Sequence, residues 1–225
     1  MNQNVFSNVT TIANPAETNR VLRNTYALLA LSMVPTVLGA WVGIATGLMA
    51  TMAGLLLTVI ASFALIFAVK KTQNSGLGVV MLLAFTFVMG LVISGSIGLV
   101  LHRQGGADIV MLAFASTAAV FFGMAALSSV IKRDLSSMGK FLFIGLILVV
   151  VASVANIFLH SSALMTTISV ISAGLFSAYI LYDLKAVRDG YETNYVSATL
   201  SIYLDLINLF MSLLQILGVL GGRDE

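Results

Sequence analysis

The residues best placed to do chemistry lie in the last apolar stretch, Ser197–Gly218. Ser201, Asp205, Asn208, Ser212 and Gln215 follow one another at steps of four, three, four and three. That spacing puts all five on one face of a helix. At about 1.5 Å per residue the stripe runs roughly 21 Å, against about 30 Å for a hydrocarbon core. A polar seam with a carboxylate in it therefore crosses much of a membrane. An ionisable group at that depth costs at least ~2.5 kcal/mol and faces protein or water. The nearest acidic partner is Asp183, in Tyr182-Asp183-Leu184-Lys185 at the end of the preceding apolar stretch. The intervening loop is short, so the two helix ends are neighbours and the carboxylates can meet. Two carboxylates in one dry site do not both ionise cheaply, and they titrate as a pair. Such a dyad senses pH or binds a cation. The plainer readings stand beside this one: Asp183 reaching the interface or pairing with Lys185, and Asp205 forming a structural hydrogen bond between helices. Asn208 and Gln215, like Asn156 in an earlier span, read more as interhelical hydrogen-bond formers than as ligands.

The elements that must position these groups follow from composition. Of the 225 residues, 59% are hydrophobic and 9% charged, where soluble chains carry about 25% charge. The chain reads as an all-α integral membrane protein. The absence of Cys removes disulfides, thiolate metal sites and iron–sulfur clusters. His102 and His160 lie at the ends of apolar segments, so a haem or zinc site inside the bundle has little to work with. The net charge of +2 gives no reason to expect nucleic acid. No HExxH spacing, phosphate-binding glycine loop or nucleophile–base pair marks an enzyme, and no firm metal site or cofactor is expected.

Residues 1–20 read as a loose polar tail and 21–225 as one seven-helix domain. The predicted spans are Thr25–Gly47, with a kink at Pro35 and Trp41 at the far interface, then Met52–Val69, Leu77–Leu101, Ile109–Ile131, Phe141–Leu159, Ala163–Leu184 and the last stretch. With the N-terminus in the cytoplasm, nine of the 11 Lys and Arg fall on the inner side, and only Arg103 and Arg223 outside. This bias fits the positive-inside rule and supports the span count. Gly39, Gly43 and Gly47, then Gly90, Ser94 and Gly98, then Ser169, Ala173 and Ser177 recur every fourth residue, a pattern that lets helix backbones approach closely. The seam requires a protein-lined setting, so the last helix is expected at the centre.

The run Gly190-Tyr191-Glu192-Thr193-Asn194-Tyr195, followed by Ala198 to Phe210 and Leu213-Leu214-Gln215-Ile216-Leu217-Gly218, resembles the C-terminal signature of the Bax inhibitor family, most closely its bacterial YccA-like branch. Val21 to Tyr26, Ser116 to Phe122 and Ala155 to Leu159 are similar to that branch as well. The resemblance implies six helices around a central seventh. In family members with a calcium leak, a pH-sensitive aspartate dyad occupies the positions matched here by Asp183 and Asp205, with Ca2+ as the transported ion and at most a transient cation between the carboxylates. Some of those members latch the dyad with an arginine in span two; Met52–Val69 contains none. The family's Gly-Pro pair after span three is also absent, since Gly98 is followed by Leu99. The YccA-like branch implies a multi-pass protein of the bacterial inner membrane that associates with the membrane-anchored protease FtsH and restrains degradation of membrane proteins. A polar N-terminal tail on the cytoplasmic side suits capture by such a protease.

Overall fold

The computed structural model describes residues 15–221. Seven helices follow in order: α1 (Pro15–Thr46), α2 (Met52–Thr72), α3 (Gly76–Leu101), α4 (Gly106–Val130), α5 (Met138–Leu159), α6 (Ser162–Arg188) and α7 (Tyr195–Gly221). Each is long and apolar enough to cross a membrane. The expected loose tail falls mostly on residues 1–14, outside the described part. From Pro15 onward the chain is already helical, so its last residues belong to α1 and not to the tail. Glu17 sits in that first turn, where a carboxylate complements the positive end of the helix.

Side-chain caps and left-handed residues set the boundaries. Thr51 accepts the Gly54 N–H on its Oγ1 at 3.0 Å and starts α2. Ser161 accepts the Leu164 N–H at 3.2 Å and starts α6. Asn194 Oδ1 takes the N–H groups of Val196 and Ser197 at 2.9 and 3.0 Å at the head of α7. Gly47, at φ 63°, turns the chain out of α1. Helix α1 runs unbroken through Pro35. Asn156 was expected to bond between helices. Its Oδ1 instead accepts the Ser161 N–H at 3.1 Å, because the α5–α6 turn brings that unsatisfied donor back beside it. In the α4–α5 connection Asp134 accepts the Ser136 backbone N–H and hydroxyl, both at 2.8 Å. The backbone hydrogen bond, more than any other contact, holds that exposed carboxyl below its ordinary range.

Helix α7 is the most enclosed of the seven. It packs against α1, α2, α3, α4 and α6, but α5 touches only α6. The expected ring of six around α7 is thus closed by five. The reason lies in the sequence of α5, of which only Leu142 is buried, while Phe141, Phe143, Ile144, Leu148 and Phe158 are exposed. Lipid is as apolar as these side chains, so nothing drives them inward. Close approach to α6 comes from Gly145, where a Cβ would stand 2.9 Å from Leu175 Cδ1.

The small-residue pattern divides on inspection. A Cβ at Gly39 would strike the Phe87 carbonyl oxygen, one at Gly43 the Ser94 hydroxyl, and one at Gly90 the Thr36 carbonyl oxygen, so these positions seat α1 on α3. Gly98 faces open space and Gly47 serves the turn; neither is a packing residue. At the centre, Tyr203 is fully buried, its hydroxyl 2.7 Å from Thr36 Oγ1 and 3.3 Å from the Thr86 carbonyl oxygen. One phenol thereby ties α1, α3 and α7 together in a dry core, where each such bond is strong because no water competes.

Candidate functional site: an aspartate pair at the head of a polar seam

The bundle has two chemically different ends. The start of α1 and the α2–α3, α4–α5 and α6–α7 connections share the basic end, with Arg20, Arg23, Lys70, Lys71, Lys132, Arg133, Lys140, Lys185 and Arg188. Arg103 is at the opposite end, where its Nη1 donates to the Gly218 carbonyl at 2.8 Å and holds the last turn of α7. A cation there complements the negative end of that helix.

None of the five seam residues is exposed. Asp205 and Ser212 are buried, and Ser201, Asn208 and Gln215 are half-buried. Gln215 bonds between helices as expected, its Oε1 accepting the Ser169 hydroxyl at 2.6 Å. Asn208 does not: its Nδ2 donates to Leu204 O at 2.8 Å in its own helix, and Ser212 likewise returns to Asn208 O at 2.7 Å. In both cases the preceding turn of the same helix supplies the acceptor.

Asp183 on α6 and Asp205 on α7 are near neighbours, close enough for each to act on the other's charge. Asp205 Oδ2 is buried and has no hydrogen-bond partner among the described residues. The alternative partner for Asp183 is taken, since Lys185 forms an ion pair with Asp189. Two further charged groups lie near Asp183: Lys70 from α2 and Glu192 from the α6–α7 loop. Tyr179, one turn back on α6, lies within the field of both aspartates.

Lys70 was legible in the sequence only as a charge flanking a span. Here its Nζ donates to Ser197 Oγ at 2.8 Å, in the first turn of α7. Asn194 adds a second tie from α7 to the α2–α3 turn, donating to Gln73 O at 3.1 Å and Asn74 Oδ1 at 2.8 Å. The end of α2 is thereby clasped to α7 beside the aspartates. Polarity at a helix head was the only signal for these residues, and it does not name a partner. Among the described residues no group of three or more His, Asp or Glu is placed to hold a metal ion. An oxygen of Asp205 without a donor can be satisfied by a proton shared with Asp183 or by a cation held between the carboxylates.

Residues 18–222 match the family described as Inhibitor of apoptosis-promoting Bax1. The chain belongs to the Bax inhibitor family. Several relatives are alike over nearly their whole length. A membrane protein of Vibrio cholerae is 38% identical over 224 residues, the whole of both chains. The Escherichia coli K12 protein named Modulator of FtsH protease YccA is 37% identical, covering 92% of this chain and 93% of its own length. A second Escherichia coli relative of the same identity and coverage is named Inner membrane protein YccA. This Bax inhibitor family member is a multi-pass membrane protein, with seven helices among the described residues long and apolar enough to span a membrane.

Proposed function

We propose that this Bax inhibitor family member acts in the bacterial inner membrane as a modulator of the FtsH protease. The observation that carries the reading is the 37% identity, across nearly the whole of both chains, to the Escherichia coli protein bearing that name. The expected result is that the tagged chain, isolated from detergent-solubilised bacterial membranes, brings FtsH with it. Raising its level should lengthen the lifetime of a membrane substrate of the protease at least about twofold. Absence of FtsH from the isolate together with an unchanged substrate lifetime would remove the proposal.

The basic end faces the cytoplasm in this reading, as the positive-inside rule favours. Reporter fusions after Lys71 and Lys140 are expected to register the cytoplasm, and a fusion after Gly106 the outside. The reverse pattern would invert the assignment.

A second reading, a pH-sensitive calcium or cation leak, draws on the aspartates themselves. Support comes from the neighbouring carboxyls on α6 and α7 and the buried Asp205 oxygen without a donor. In this reading the protonated pair holds the two helices together. The ionised pair repels itself apart or admits a cation, and Lys70 supplies from α2 the positive charge that moderates the opening. The two readings are compatible, because one concerns the bundle's partner and the other its interior.

A further inference from the structure

Helix α7 is fastened unevenly to its neighbours. At its head, Asn194 bonds to the α2–α3 turn and Ser197 to Lys70 of α2. Further along, Tyr203 bonds to Thr36 of α1 and to the Thr86 carbonyl of α3. None of these bonds goes to α6. Among the described residues, the one hydrogen bond joining α6 to α7 is Ser169–Gln215, at 2.6 Å, in the outer part of both helices. From there to Asp183, α6 lies along α7 without another.

The same stretch of α6 contains a glycine that packing does not explain. Gly174 lies between Ser169 and Asp183, is exposed, and has nothing within 4 Å of its Cβ position. A glycine inside a helix is less favourable than an alanine, and no close approach offsets that here. Ser177 Oγ returns to Ala173 O at 2.6 Å, across the same turn. Such back-bonding bends helices, and Gly/Ser pairs are where sharp kinks form. Helix α5 rests on α6 alone. Gly139, at the inner end of α5, adjoins the Tyr182 hydroxyl, on the aspartate side of Gly174.

We propose that Gly174 is a hinge: the part of α6 from Gly174 to Arg188 swings and carries α5, while α7 stays with α1, α2 and α3. The inference rests on the second reading above, in which ionised aspartates drive α6 and α7 apart, and it assigns the movement to α6. The swinging arm is about 21 Å long at 1.5 Å per residue, so a bend of about 10° carries its end roughly 4 Å. The groups around the aspartates divide the same way. Lys70 is bonded into the head of α7, whereas Tyr179 and Tyr182 ride on α6 and Glu192 on the connection. That connection travels with α6, because the N–H groups of Tyr191 and Glu192 both bond to Ala186 O. The joint with α7 falls at Thr193, and the Asn194 N–H to Glu192 Oε1 bond, at 2.8 Å, crosses it.

The chain has no native Cys, so paired cysteines carry spin labels without background. Lys71→Cys with Lys140→Cys reports α2 against α5, and Lys71→Cys with Thr193→Cys reports α2 against the head of α7. All three sites are exposed. Two triggers are applied to the full chain in liposomes: a shift from acid to alkaline pH, and Asp183→Phe, whose bulk wedges α6 from α7 without any titration. Either should lengthen the first distance by the swing of the arm, roughly 4 Å, and leave the second unchanged. Gly174→Ala should cut the lengthening at least twofold. Gly123→Ala, at an equally open glycine of α4, should leave it intact. Lengthening of the second distance would show that α7 moves, and would overturn the hinge. So would a lengthening of the first that Gly174→Ala does not reduce, or no change under either trigger. A response to the wedge but not to pH would support the hinge and remove the aspartate reading.

Discussion

Replacing Asp205 by Asn is expected to abolish the pH dependence of cation flux in liposomes, and of the distance between spin labels at the adjoining ends of α6 and α7, while leaving the bundle folded. In the wild-type protein both quantities should rise with pH, because losing the shared proton leaves two negative charges in a poorly solvated site. Two unit charges 5 Å apart repel by about 3 kcal/mol at an effective dielectric of 20. That is enough to shift a two-state equilibrium by roughly a hundredfold, at about 1.4 kcal/mol per factor of ten. Asn keeps the shape and the hydrogen-bonding capacity of a protonated carboxyl but has no charge to gain. Asp183→Asn should act alike, because Asp183 adjoins Asp205 and lies between the opposed charges of Lys70 and Glu192. The double variant should be little worse than either single one, since neighbours in one unit are not additive. Independent, additive effects would show that the carboxyls do not share a proton, and the leak reading would lose its mechanism. FtsH binding should survive all three variants, which separates the two functional readings.

The largest effect on stability is expected from a single methyl group. Gly90→Ala should destabilise the bundle by at least ~3 kcal/mol, the upper part of the range for overpacking. The added Cβ would land on the Thr36 carbonyl oxygen, with Ala40 N at 2.9 Å and Gly39 Cα at 3.0 Å. All three are backbone atoms of α1, so no side chain can rotate away and the helices must separate. Separation would pull Thr36 from the Tyr203 hydroxyl and open the core at its centre. Gly98→Ala on the same helix is the matched control. Nothing lies within 4 Å of its Cβ position, and Ala should gain up to about 1 kcal/mol there from helix propensity. Thermal unfolding in detergent compares the two directly. Equal midpoints would mean that the α1–α3 contact is looser than described.

The difference between those two glycines marks where sequence reading stops. Both recur at the same fourfold spacing, and spacing reports which residues share a helix face without reporting what the face meets. Gly47 shows the same limit, since a left-handed turn uses the residue for its backbone while the pattern shows only its size. The seam behaves similarly. That Ser201, Asp205, Asn208, Ser212 and Gln215 must be sheltered follows from the cost of polar groups in lipid, and none of them is exposed. Which of them would bond across to α6 did not follow, because a side-chain amide has an acceptor in its own helix as well as any that a neighbour offers.

By itself the sequence determined seven spans, their order along the chain, the basic end, the family, and the enclosure of α7. These are consequences of local apolar length, charge placement and helical period, each readable within a window of some twenty residues. Only the tertiary structure decided that α5 stands outside the ring on α6, that Lys185 belongs to Asp189, and that Lys70 reaches Ser197 beside the aspartates. It alone also brought Ser169 of α6 to Gln215 of α7. Each of these joins residues from different helices or chooses among several candidate partners. In a bilayer the hydrophobic effect does not choose between helix faces, so the choice falls to close packing and to the few polar groups that must find one another.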